Sequence, residues 1–123
     1  MRRFHPKTAS VDEPVARFLA LGIEQYEMEM AGYGFRRNRA VRERFIVEDE
    51  LKSRDGDARR LLVRFCEHQN IPVQCNAASA TLALFPTEAR RKLEEIRNGR
   101  LGVTSLEAGM RLRAIDTGRY VPQ

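Results

Sequence analysis

The chain has 123 residues, 42% of them hydrophobic and 32% charged, with a formal net charge of +5. That length fits one domain that buries a core without metals or disulfides. It contains no run of ~18 apolar residues that would span a membrane, no apolar segment after the amino-terminal MRRF that would serve as a secretory signal, and only two cysteines, too few for a disulfide framework. The expected location is the cytoplasm, with Cys66 and Cys75 as free thiols.

Residues 1–10, with Pro6 and no apolar periodicity, read as a flexible basic arm carrying Arg2, Arg3 and Lys7. A first helix follows. Asp12 is placed to cap it, Pro14 suits its first turn, and Val15, Phe18, Leu19, Ile23, Tyr26 and Met30 recur at helical spacing. Gly32 and Gly34 stop it. A second helix is expected from an Asn38 cap to about Ser53, with Val41, Phe45 and Leu51 facing inward. The turn signal Arg54-Asp55-Gly56-Asp57 leads to a third helix from Asp57 to about Gln69, with Leu61, Leu62, Phe65 and Cys66 buried.

Pro72 disfavours helix at Ile71, so 70–76 reads as a break. The next stretch, 77–85, reads as a helix on its alanines, capped by Asn76. The alternative is an α+β fold with short strands near 71–75 and 81–85. Residues 87–98 form a clear helix ending at Gly99. The last helix, 105–116, carries a Thr104–Glu107 capping box and stops at Gly118. The fold expected is all-α: a compact single-domain bundle of five or six short helices over 11–118, with 119–123 as a tail.

Charge is unevenly spread. Residues 11–33 carry Asp12, Glu13, Glu24, Glu27 and Glu29 against Arg17, while 34–44 carry Arg36, Arg37, Arg39, Arg42 and Arg44 against Glu43. There are 19 arginines and three lysines, a skew that a GC-rich genome also produces. On a helix, residues four apart are neighbours, so Arg39–Glu43, Arg44–Glu48, Glu50–Arg54, Glu88–Lys92, Arg90–Glu94, Arg91–Glu95 and Glu107–Arg111 neutralise one another locally. Arg36, Arg37, Arg42, Arg59, Arg60 and Arg64 have no such neighbour, and neither does Arg113. A nucleic-acid surface built from these, joined by Arg111 on the last helix, is one expectation. Two helices joined by Gly99–Thr104 also allow a helix-turn-helix, although an ordinary helical hairpin explains the pattern and Gly109 is a poor residue for the middle of a recognition helix.

The competing expectation is a helical adaptor or assembly subunit without nucleic-acid contact. Leu21 and Met28, on the opposite side of the first helix from Val15 and Phe18, would form its docking flank for a protein partner or a second copy. Enzymatic function is not expected. Cys66, His68 and Cys75 match no standard zinc spacing. The glutamates lack the Glu-x-x-His pairing of a di-iron bundle, and no phosphate-binding glycine loop or nucleophile elbow occurs. Accordingly no cofactor, metal, membrane or small-molecule substrate is expected.

Overall fold

The structure is a computed structural model describing residues 10–100 and 102–123. Residues 1–9 of the expected arm lie outside the described residues. Among those described, every regular element is helical: α1 (Asp12–Ala31), α2 (Gly34–Ser53), a 3₁₀ run (Ala58–Glu67), α3 (Ile71–Ala80), α4 (Pro86–Asn98) and α5 (Val103–Asp116). The fold is all-α. The chain divides between Leu61 and Leu62 into two compact units.

In the first unit α1 and α2 pack against each other over Val15, Phe18, Leu21, Ala40, Val47 and Leu51, all buried. Asp12 begins α1 rather than capping it. Its N–H donates to Ser10 Oγ at 3.1 Å, and its carboxylate joins Glu13 in the first turn, where the helix dipole favours negative charge. Gly32 ends the helix in the left-handed conformation, φ 78°, and the Tyr33 N–H closes back on Met28 O at 2.9 Å.

The chain re-enters helix at once. α2 starts at Gly34 instead of after an Asn38 cap, because the Arg37 N–H already bonds Tyr33 O at 3.0 Å. Arg36, Arg37 and Asn38 are therefore helical surface, not a lead-in loop. Of the expected pairs, Arg39–Glu43, Arg44–Glu48, Glu50–Arg54 and Arg90–Glu94 form. Lys92 instead meets Glu95 at 3.2 Å and Glu67 at 3.4 Å.

The expected third α-helix is a 3₁₀ run. Asp57 precedes it at φ 54° and turns its carboxylate onto Arg59, accepting from Nε at 2.9 Å, Nη2 at 2.7 Å and the backbone N–H at 3.2 Å.

In the second unit, the break expected at Pro72 is a helix start, which also displaces the alternative strand at 71–75. Asn70 Oδ1 accepts from the Val73 N–H at 3.1 Å, and Pro72 occupies the first turn, where its missing N–H costs nothing. The restriction that proline imposes falls on Ile71, the first residue of the helix. Asn76, the expected cap, is buried within α3, and 81–84 is a turn rather than a strand or helix. Packed with α4 and α5, α3 contributes Val73, Ala77 and Ala78 to a core shared with Leu93, Ile96, Ala108 and Leu112.

No side-chain cap opens α5. Thr104 is buried, and Ser105 donates its hydroxyl to Ile96 O at 2.7 Å, tying the start of α5 to the end of α4. At the other end of the pair Arg90 grips Asp116 with two hydrogen bonds of 2.8 and 3.1 Å, which lowers the Asp116 carboxyl and raises the Arg90 guanidinium from their ordinary values. Tyr120 returns its N–H to Ala114 O at 3.1 Å, so the carboxy-terminal segment is anchored there.

Candidate functional site

The two faces of α2 differ sharply. Its inner face carries Ala40, Arg44, Val47 and Leu51. Successive residues of a helix turn by ~100°, so Phe35, Arg39, Arg42, Ile46 and Asp49 fall in one outward arc of roughly 80°. All five are exposed, Phe35 to 90% and Ile46 to 68%. Phe45, expected in the core, lies at the edge of this arc and is 45% exposed. The Arg44 guanidinium covers its ring at 4.5 Å while donating to Glu48 at 2.9 Å. The inner face is already filled, and Phe45 belongs to the neighbouring turn position.

The eight arginines expected to bind nucleic acid divide between the two units, and they divide in state as well. Arg37 donates to Glu29 on α1 at 2.8 Å and is half-buried. Arg59 is clamped by Asp57. Both guanidiniums are engaged within the fold. Arg36 is exposed with its charge 5.5 Å over the Tyr33 ring, and Arg42 and Arg60 are exposed. In the second unit Arg64 lies 5.4 Å over Phe65, Arg111 lies 4.7 Å over Tyr120, and Arg113 is exposed beside Met110.

The expected docking flank does not exist as a surface. Leu21 is 5% exposed, packed between α1 and α2, and Met28 is half-buried. At ~100° per residue Leu21 lies only about 60° around α1 from Phe18, within the same buried face, so the expected placement of Leu21 opposite Phe18 is corrected.

A second candidate surface lies on the α4–α5 pair. The buried face of α5 is made of small or polar residues, Thr104, Ser105 and Ala108 with Leu112, while Val103, Leu106 and Met110 point outward. Arg97, Arg100 and Arg113 surround Leu106, Gly109 and Met110 in an open cleft. A side-chain carbon at Gly109 would touch the Arg97 stem, 3.4 Å from Cγ and 3.5 Å from Cδ, so the Arg97 stem lies beside α5 at this position.

Cys66 is buried, and burial pushes its thiol above the ordinary value even with Lys92 nearby. It remains protonated at neutral pH and packs as a small apolar side chain. His68 Nδ1 accepts from the Asn70 N–H at 3.0 Å, a local turn contact. Among the described residues no group of three or more His, Cys, Asp or Glu side chains is placed to hold a metal ion, and no helix is long and apolar enough to cross a membrane.

Sequence reasoning missed Phe35, Ile46, Leu106 and Met110. The signal was present: once α2 starts at Gly34, its apolar residues fall on two opposed arcs, and in α5 Val103, Leu106 and Met110 lie off the arc of Thr104, Ala108 and Leu112.

These features define an all-helical protein whose exposed faces mix arginine with large apolar side chains. The chain belongs to the family described as "Domain of unknown function (DUF2019)", whose profile matches residues 12–116. Among solved structures it is similar to the crystal structure of the protein RPA1889 from Rhodopseudomonas palustris CGA009, at 32% identity and a TM-score of 0.90, covering 98% of this chain and 100% of that one. No curated protein matches the chain.

Proposed function

We propose that this protein is a non-catalytic helical assembly module that pairs with a second copy of itself through the outer face of α2. The carrying observation is the arc of Phe35, Arg39, Arg42, Ile46 and Asp49, in which large apolar side chains lie exposed between charges of both signs. A phosphate-binding face gains nothing from an exposed isoleucine and is repelled by an aspartate. A protein interface uses both: the apolar groups supply burial and the charges fix register.

The pattern is self-complementary. Arg42 and Asp49 lie on either side of Phe45 and Ile46, at nearly equal distances along the helix. In an antiparallel pairing of two α2 helices about a two-fold axis at this point, the two Ile46 side chains meet at the centre. Each Arg42 then faces the other copy's Asp49. An isologous contact of this kind satisfies both charge pairs at once.

Sedimentation of the full chain tests the reading. A concentration-dependent dimer is expected, with Ile46→Asp weakening it by at least about tenfold. Arg42→Asp also weakens it, while Arg42→Asp/Asp49→Arg restores it, because the swap preserves each opposed pair. A chain that stays monomeric at about 100 μM, or a swap that fails to restore association, removes the proposal.

A nucleic-acid module is the second reading, favoured by Arg36 over the Tyr33 ring beside the exposed Phe35. Aromatic faces next to arginines suit stacked bases. Binding to generic duplex and single-stranded DNA at about 50 and 200 mM salt tests it. A steep loss with salt, abolished by Arg36→Ala/Arg42→Ala and untouched by Ile46→Asp, would replace the assembly reading with this one.

A further inference from the structure

The cleft between the end of α4 and the outward face of α5 has a composition that neither helix needs for its own folding. Its rim holds Arg97, Arg100 and Arg113, and its floor holds Leu106 and Met110, which are 65% and 61% exposed. No carboxylate lines it. The nearby Asp116 accepts two hydrogen bonds from Arg90, at 2.8 and 3.1 Å, and also feels the charge of Arg97. The buried face of α5 holds Thr104, Ser105, Ala108 and Leu112, which leaves Leu106 and Met110 on its outer side, where large apolar groups are less usual.

The geometry points to this cleft as a binding site for a short acidic peptide segment of a partner protein, one that carries carboxylates around an aliphatic side chain. Three guanidiniums around the cleft match carboxylates in charge and in hydrogen-bonding geometry. The thioether and isobutyl groups between them match an aliphatic side chain, and methionine adapts its shape to what it meets. A free phosphate would engage the guanidiniums and leave Leu106 and Met110 in water. Stacked bases need aromatic faces, and among the described residues the cleft lining contains none. The Arg97 stem lies beside Gly109 of α5, and its guanidinium joins the cleft lining. This inference stands apart from self-association through α2, which uses different residues in the other unit.

The test is fluorescence anisotropy on the full chain, with a short labelled peptide of glutamates bearing two central leucines. The control peptide has serines in place of the leucines. Binding is expected for the leucine peptide at physiological salt. Arg100→Gln/Arg113→Gln should weaken it by at least about tenfold, and Leu106→Ser/Met110→Ser by several-fold. Arg36→Ala/Arg42→Ala and Ile46→Asp, both on α2, should leave it unchanged. Thermal melts check that each variant folds, and because both pairs are exposed, either pair alone carries the decision. Four results would overturn the proposal: no binding of the leucine peptide, equal binding of the serine peptide, undiminished binding by the folded variants, or preferential binding of a single-stranded oligonucleotide lost with the same arginines.

Discussion

The α1–α2 pair and the α4–α5 pair differ in which helix carries the bulk of the buried face and in which charges are drawn inside. The first fills its interior with bulk, Phe18, Leu21, Val47 and Leu51, and then admits the buried guanidiniums of Arg44 and Arg54. Each is answered from one turn away, by Glu48 at 2.9 Å and by Glu50 at 3.6 Å, and Arg54 also reaches Ser10 O at 3.3 Å. The second buries Leu93, Ile96 and Leu112 beside the smaller Ala89 and Ala108, with a Ser105 hydroxyl bonded to Ile96 O and Lys92 as its buried charge. Its buried face on α5 is mostly small or polar, and Val103, Leu106 and Met110 stay outside. In both pairs the outcome is a helix with exposed apolar groups set among arginines.

This contrast can be broken or sharpened by substitution. If the first pair depends on bulk, Phe18→Ala should cost about 3–5 kcal/mol in urea denaturation, and a cost below about 1 kcal/mol would show that the side chain is not a core element. Glu48→Ala should cost up to about 3 kcal/mol, because it removes the carboxylate bonded at 2.9 Å to the buried Arg44 guanidinium. Arg44→Met/Glu48→Leu, which removes the pair together, should recover most of that loss. A double variant as damaged as the single one would mean that the pair itself supplies the stability.

In the second pair, Ser105→Ala should cost about 0.5–1.5 kcal/mol, the value of one hydrogen bond, since Ile96 O still accepts from the Gly99 N–H at 3.2 Å. Thermal denaturation reads this directly, and an unchanged melting temperature would show that the helices are held by packing alone.

The smallest expected effect is at Asp57. Hydrogen bonds from Arg59 hold its carboxyl below the usual range. A carboxyl with a lowered folded-state value stabilises the fold above its unfolded value near 4 and loses that contribution as pH falls through the folded value. Asp57→Asn keeps a residue that tolerates the φ of 54°. It should cost less than about 1 kcal/mol at neutral pH. The gap from the parent should close on acidification, and a gap that widens instead would contradict the ion pair.

The all-helical class was legible because apolar spacing and glycine stops are local signals, and Gly32 acts as such a stop. Pro72 and Asn38 misled for a shared reason. Each residue has two roles near a helix start, and only the neighbouring backbone bonds decide between them. Asn70, two residues ahead of Pro72, made it an opening residue. The Tyr33 carbonyl, accepting from Arg37, placed Asn38 inside the helix. The fates of the arginines were less legible still. Spacing of four found the Glu48 and Glu94 partners, but Glu29 reaches Arg37 across a hairpin and Asp57 reaches Arg59 through a left-handed turn. Neither follows from periodicity.

The burial of Arg44 also bears on which way α2 can face. The helix has two apolar arcs, and rotation by half a turn would hide Phe35 and Ile46 in place of Val47 and Leu51. That rotation would draw Arg39, Arg42 and Asp49 inside with them, while the native face brings Arg44 with its carboxylate already one turn along. A guanidinium cannot shed its proton to escape an apolar setting. The charges therefore act as a key cut on one side of the rod, admitting a single azimuth where hydrophobicity alone would allow two.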